Sequence, residues 1–232
     1  MIQTGAELTD FITGLNGGAT INSNLLSVLV SSAKAIVEEE RSWMVLRKTN
    51  SLLGLTTANT WQTPVYMTSI TDFSRFYGEN VIRLFDGNNR IEYYRQVPLD
   101  RRLEFKNVSN TFCFDEASKL LYFNGVIPFS GTLYINYVAT STEIDLASVD
   151  PQWTTFPARF MPILAFYAIG IHKGAVDYDS INKLMLPTNA AVLQALKNAL
   201  EKWDNERQAS AIDGNDPSES AGGFRSGAIN RE

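Results

Sequence analysis

One histidine, His172, and one cysteine, Cys113, are all that this sequence of 232 residues offers of the two residue types most used as general base and thiol nucleophile. Neither has a partner in the pattern. His172 closes an apolar run with no serine or cysteine motif beside it, and it reads as a helix-end or packing residue. Cys113 stands between Phe112 and Phe114 in an alternating stretch, where a small buried hydrophobe is expected. No Cys/His spacing suits a structural zinc, so neither a metal, a cofactor nor a catalytic set is expected. Glu38, Glu39 and Glu40 are consecutive, and consecutive residues on a helix point in different directions, so they read as a solvated face rather than a cation cage. The stretch Gly14, Leu15, Asn16, Gly17, Gly18 has the glycines of a phosphate loop but lacks its Gly-Lys-Ser/Thr ending and follows no strand. A helix-to-helix turn is the expectation there. Asp145 and Asp150 bracket a linker and Asp177 and Asp179 a helix junction, where capping and solvation account for carboxylates.

The one stretch with binding chemistry is 75–106. It carries seven Arg or Lys against five Asp or Glu, interleaved with Phe76, Tyr77, Phe85, Tyr93, Tyr94 and Phe105. Bases among aromatics can bind single-stranded nucleic acid. The balancing acids and the alternation favour half-buried strands with a mixed charged face, and Tyr, Phe and Arg equally make protein interfaces.

These residues must be positioned by the elements around them. Thr4 followed by Glu7 is a capping box, and Leu8, Phe11, Ile12 and Leu15 repeat at helical spacing. After the Gly17-Gly18 turn, Asn22 or Ser23 caps a second helix expected to run to about Lys48, with Leu25, Leu29, Ala33, Ile36, Val37, Trp43 and Met44 as its apolar stripe and Lys34, Glu38, Glu39 and Arg41 mostly off it. From residue 50 to about 149 the period becomes strand-like. Asp86, Gly87, Asn88 and Asn89 make a hairpin turn between 81–85 and 90–94. Phe112 to Phe114, residues 119–124, and Leu133, Ile135 and Tyr137 behind Gly131 continue as a meander with one wet face. Residues 49–67 fit either a long arm or an edge strand.

The run 160–171 is apolar all round and marks a core helix. A bilayer span needs ~20 apolar residues, and this run is closed by Arg159 and by His172 and Lys173, so no membrane contact is expected. Pro157 suits a first helical turn and Pro162 a loose one. Asp179 is a candidate cap for a short helix. Beyond Pro187, Thr188 and Asn189 can cap a longer one carrying Val192, Leu193, Leu196, Ala199, Leu200 and Trp203, the partner of 160–171 in an antiparallel hairpin. The expected fold class is α+β: a helical bundle, made of N-terminal helices in 1–48 and the hairpin in 150–208, with an inserted antiparallel β-rich region in 49–149 and an extended C-terminal tail in 209–232.

A hydrophobic content of 44% supports a core, and a single cysteine excludes an intramolecular disulfide framework and suggests a reducing compartment. Residues 1–10 lack a basic start and an apolar core, so no secretory signal is expected. A net charge of −5 argues against wrapping nucleic acid, although an acidic wall that DNA slides past fits it. Residues 209–232 are rich in Gly, Ser, Ala and Asp and cannot build a core, so a partner or a neighbouring copy is expected to order them. Fully extended they reach on the order of 80 Å.

The order of parts is itself informative: a short helix, a long helix ending in Arg41-Ser42-Trp43-Met44-Val45-Leu46, and a β region closing on Leu133-Tyr134-Ile135-Asn136-Tyr137. Asp150-Pro151 then leads to Phe156-Pro157 and a core helix running into Asp177-Tyr178-Asp179. Over roughly residues 4–208 it resembles the head-to-tail adaptor (connector) proteins of tailed bacteriophages. The resemblance implies a structural virion protein without catalytic residues, made in the host cytoplasm and placed in the neck between capsid and tail. There it forms a ring, usually of about twelve copies, beneath the portal protein. The ring extends the channel through which DNA passes without sequence-specific binding and gives the tail or nozzle protein a place to dock. The C-terminal arm is then the portal anchor, with Ile212, Phe224, Arg225, Ile229 and Arg231 as contact candidates and Arg95, Arg101 and Arg102 as a tail-side or inter-subunit surface. The chain departs from simpler members in its long Gly/Ser-rich end. Alternatives are a tail-side completion or nozzle protein, a single-stranded nucleic-acid-binding module using 75–106, and a hydrolase with an unrecognised site.

Overall fold

Thr4 and Glu7 make the capping box that their spacing predicts. Thr4 Oγ1 accepts from Glu7 N at 3.1 Å, and Glu7 Oε2 accepts from Thr4 N at 3.2 Å and from Gln3 N at 2.8 Å. The computed structural model, which describes residues 2–58 and 64–212, starts helix α1 (Gly5–Leu15) from this cap. Gly17 and Gly18 turn the chain at φ +70° and +83°, a region glycine enters without Cβ strain. Helix α2 (Ser23–Glu39) follows, with Asn22 Oδ1 accepting from Asn24 N at 3.0 Å.

The second helix ends well short of Lys48. Trp43 folds back so that its Nε1 donates to Val37 O at 2.6 Å, which satisfies a carbonyl that a continuing helix would have bonded itself. A single 3-10 turn, Met44–Leu46, then opens strand β1 (Arg47–Thr56). The stripe also shifts: Leu25 is exposed, whereas Leu26, Val30, Lys34 and Glu38 are buried.

Among the described residues seven further strands join β1 in one mixed sheet: β2 (Pro64–Tyr66), β3 (Phe73–Phe76), β4 (Ile82–Phe85), β5 (Ile91–Gln96), β6 (Thr111–Asp115), β7 (Leu120–Asn124) and β8 (Gly131–Ala139). The order is β1-β8-β4-β5-β6-β7-β2. Strand β8 is the hub, with β1 along one edge and β3 and β4 in succession along the other. The predicted hairpin is present as β4 and β5, paired Ile82↔Tyr94 through Phe85↔Ile91. Residues 49–67 contribute β1 and β2, the two ends of the sheet order; residues 59–63 lie outside the described residues. The sheet curls, because the turn after β2 reaches β1 and Ser69 Oγ donates to Leu53 O at 3.3 Å.

This corrects the expected helical bundle with an inserted antiparallel region. The described residues are α+β with five α-helices and a large mixed sheet, and β5 and β6 run parallel through Arg95↔Thr111 and Gln96↔Phe112. The strands enclose their own core of Leu53, Tyr94, Phe112, Leu121, Phe123, Leu133 and Ile135, among others, so the β region stands on its own burial rather than on the helices. Within it Tyr94 packs edge-on against Phe123 at 4.8 Å, and its hydroxyl is buried without a hydrogen-bond partner. Burial, and then the Glu92 charge, push the Tyr94 phenol up to about 12. Tyr94→Phe is expected to raise stability by about 1 kcal/mol in urea unfolding at unchanged m-value, because an unsatisfied hydroxyl leaves the core. The folded phenol holds its proton more tightly than the unfolded one, so wild-type stability falls as pH rises from about 10 to about 12, and the variant loses that part of the fall.

The helical side has its own core around α3 (Pro162–His172), whose residues from Ile163 to Gly170 are all buried. A 3-10 turn, Ala158–Phe160, precedes it and Pro162 opens it, where a missing N–H costs nothing. Helix α4 (Tyr178–Leu184) is capped by Asp177 rather than Asp179, through Ser180 N at 2.8 Å, and packs Ile181 against Gly170. Helix α5 (Pro187–Ile212) returns along α3 in the opposite direction. Phe160 lies 5.9 Å from Trp203, whereas Tyr167, farther along α3, shares Glu40 with Lys197. Among the described residues no helix is long and apolar enough to cross a membrane.

Candidate interaction surfaces

Alternation on the strands puts Leu133, Ile135, Ile82, Leu84 and Tyr94 on the buried face of the sheet, so the residues between them face out. Register then sets two rows across four strands. One is Leu52, Tyr134, Arg83, Tyr93 and the other is Leu55, Thr132, Phe85, Ile91, each in the order β1-β8-β4-β5. Leu52 is 62% and Leu55 82% exposed, and Ile91 and Tyr93 are also exposed. Arg83 stacks over the Tyr134 ring at 4.8 Å, and its Nε is buried with no hydrogen-bond partner. Arg95 follows Tyr93 on the same side of β5. No acidic residue occupies these outward positions.

A second exposed apolar group lies at the α4–α5 corner, where Val176, Leu184, Leu186 and Val192 face solvent around the Asp177 cap. The two surfaces belong to different parts of the fold, one to the sheet and one to the helices. From Pro187 to Asp204 the α5 axis advances about 26 Å at 1.5 Å per residue. Asp204, fully buried, accepts from Met44 N at 2.6 Å, just before β1 begins. Arg41 lies 3.1 Å from Asp204 and also donates to Asn205 at 2.9 Å, while Arg75 donates to Arg41 O at 3.0 Å. Helices and sheet are therefore locked together at this junction.

A second polar lock involves the glutamates expected on a solvated face. Glu38 is only 5% exposed, and it accepts from Ser141 N at 3.2 Å, from Ser141 Oγ and from Trp153 Nε1 at 3.2 Å. Lys34, also buried, donates to Ser141 O at 2.7 Å and pairs with Glu143 at 3.3 Å. Glu40 accepts from Tyr167 Oη and pairs with Lys197 at 3.3 Å, and burial together with this bond drives the Tyr167 phenol well above its ordinary range. Only Glu39 stays free of this arrangement among the bonds and ion pairs described, as an exposed residue at the helix end. A helix-wheel reading missed the lock because the partners of α2 come from more than a hundred residues away.

The three arginines proposed as one surface sit in three different settings. Arg95 belongs to the outward sheet face. Arg101 pairs with Glu104 at 2.7 Å within the successive turns of residues 98–108. Arg102 lies over the Tyr122 ring at 3.8 Å. That turn segment also carries Leu103, 79% exposed, and is tied down where Gly125 N donates to Lys106 O at 3.0 Å. The basic and aromatic residues of 75–106 are similarly dispersed: Arg75 turns toward the helices, Phe76 packs against the sheet core, and Arg90 pairs with Asp86 and covers Phe129. Of the C-terminal candidates, Ile212 is the last residue of α5, while Phe224, Arg225, Ile229 and Arg231 lie outside the described residues.

His172 is exposed in the last turn of α3. Cys113 is buried, 3.4 Å from the Asn124 side-chain nitrogen. Among the described residues no group of three His, Cys, Asp or Glu is placed to hold a metal ion. No protein-family model matches this sequence, and no curated protein matches it.

Proposed function

We propose that this chain is a structural adaptor that joins two protein assemblies, with the head-to-tail adaptor of a tailed bacteriophage as the specific reading. The observation that carries it is the pair of separate exposed apolar surfaces, the outward sheet face and the α4–α5 corner, on a body whose parts two buried polar locks tie together. A bridging protein needs two docking ends and a fixed spacing between them, whereas an enzyme needs a convergent polar site. The order of elements, α1–α2, then β1–β8, then α3–α5, is also the order on which the resemblance rests. Many copies around a portal multiply weak contacts into firm attachment, and an acidic chain lining a conduit lets DNA pass without holding it.

The reading is tested by mixing the protein with the cognate portal ring and following mass by light scattering, with the full chain and with a chain stopped after Ile212 so that α5 stays whole. Saturation of the ring by the full chain at a fixed stoichiometry is the expected result, and loss of binding on truncation assigns the anchor to residues 213–232. Retention by both assigns it to the helical body. A portal ring that retains neither removes the adaptor reading and leaves a nozzle-side protein, which the same measurement with purified nozzle protein tests.

A further inference from the structure

We propose that the outward face of β1, β8, β4 and β5 is a docking site for a protein surface that presents carboxylates among apolar side chains. The row Leu52, Tyr134, Arg83, Tyr93 sets one cation between two tyrosines, and the row beside it, Leu55, Thr132, Phe85, Ile91, is almost wholly apolar. Such a face has no core to cover on this side, yet its leucines are among the most exposed in the described residues.

Charge selects the occupant. The chain carries a net −5, yet the outward positions hold Arg83 and Arg95 and no acid. The nearby Asp86 carboxylate is used within its own turn, accepting from Asn88 N at 2.6 Å and Arg90 N at 3.1 Å. Arg83 is stacked on the Tyr134 ring at 4.8 Å, which fixes where its guanidinium lies on this face and favours an anionic group in the partner. Two arginines beside exposed aliphatics suit a partner that is itself largely apolar, whereas a phosphate backbone would leave Leu52, Leu55 and Ile91 against water or sugar. The adaptor reading enters only in the choice of natural partners for the second test below.

The first test uses the whole chain and a strand-forming peptide presenting Leu and Glu on one face, beside its Leu/Lys counterpart, with binding read from NMR shifts along β4 and β5. The acidic peptide is expected to bind and the basic one to fail. Arg83→Glu and Leu55→Glu should each weaken the acidic peptide by at least about tenfold, and Leu55→Lys by less, because it loses the same apolar contact without adding repulsion. Equal binding of both peptides, or no effect of the variants, overturns the proposal. So does oligo(dT) binding at these strands, or wild-type self-association that Arg83→Glu abolishes, since each gives the face to another occupant. In the second test the same variants are assembled with portal ring and nozzle protein. Loss of one attachment with the other intact supports the proposal, and attachment of both at wild-type affinity overturns it. A wild type that binds neither partner sinks the adaptor reading, while the peptide result still decides the fate of the face.

Discussion

Glu38→Ala is expected to lower the unfolding free energy by about 3–5 kcal/mol, the range for removing one partner from a buried polar cluster. The side chain is one of the few buried charged ones in the described residues, and three donors converge on its two oxygens: the Ser141 amide, the Ser141 hydroxyl and the Trp153 indole. Truncation leaves all three without an acceptor and leaves Lys34 beside them without an acid on its own helix turn. Glu38→Gln keeps one acceptor oxygen but turns an NH2 toward donors, so an intermediate loss is expected. Urea unfolding followed by tryptophan emission checks both. Trp153, Trp43 and Trp203, all the tryptophans but Trp61, surround Phe156, so most of the signal comes from the affected region. A loss below about 1 kcal/mol for alanine would show that water replaces the cluster and that the lock contributes little.

Gly5→Ala is expected to be of similar size and opposite in sign to what helix propensity suggests. Alanine in a helix is favoured over glycine by about 1 kcal/mol. At this position, however, an added Cβ would fall 1.8 Å from Asp145 O and 2.7 Å from Leu146 Cα, and both are backbone atoms that cannot swing aside. The linker is held there by Ala6 N donating to Ser148 O at 3.2 Å and by Gln152 N donating to Gln3 O at 2.7 Å. Relief requires α1 to leave the linker, at about 3 kcal/mol or more. Gly14→Ala in the same helix is the control: its Cβ would meet nothing within 4 Å, and a gain of about 0.5–1 kcal/mol is expected. Thermal unfolding by circular dichroism of the two variants measures both signs; a stabilised Gly5→Ala would mean that the linker does not press on α1.

Elements whose instructions are local were legible from the residues. The Thr4–Glu7 box, the Gly17-Gly18 turn, the Asp86–Asn89 hairpin and the all-apolar α3 each depend on neighbours within a few positions. Where tertiary partners decide, periodicity misled. Trp43 sits at helical spacing from Ile36 and Val37, yet its indole bonds Val37 O and ends the helix. Lys34 and Glu38 look like solvent residues until Ser141 and Trp153 arrive to receive them. The large sheet was underestimated because β1 has no alternation of its own: its register against β8 slips between Lys48 and Ser51 and again between Leu52 and Gly54, which breaks the two-residue pattern. The outward sheet face was invisible for a related reason, since Leu52, Tyr134, Arg83 and Tyr93 become neighbours only through strand pairing.

The position of α3 also fixes the order in which the chain can fold as it is made. Helices α1 and α2 are complete at Glu39, but the helix they bury against does not begin until Pro162, and the whole sheet lies between. At 5–20 residues per second this is a wait of roughly 6–25 s, during which the apolar stripe of α2 has no partner. The sheet closes first, once β8 emerges to join β1, β3 and β4, and the linker that follows it delivers Ser141 and Trp153 to Glu38 before α3 arrives. Chains that have exposed β8 but not yet α3 therefore present the sheet beside an open helical groove, the state in which chaperone capture and misassembly with a sister chain compete with folding.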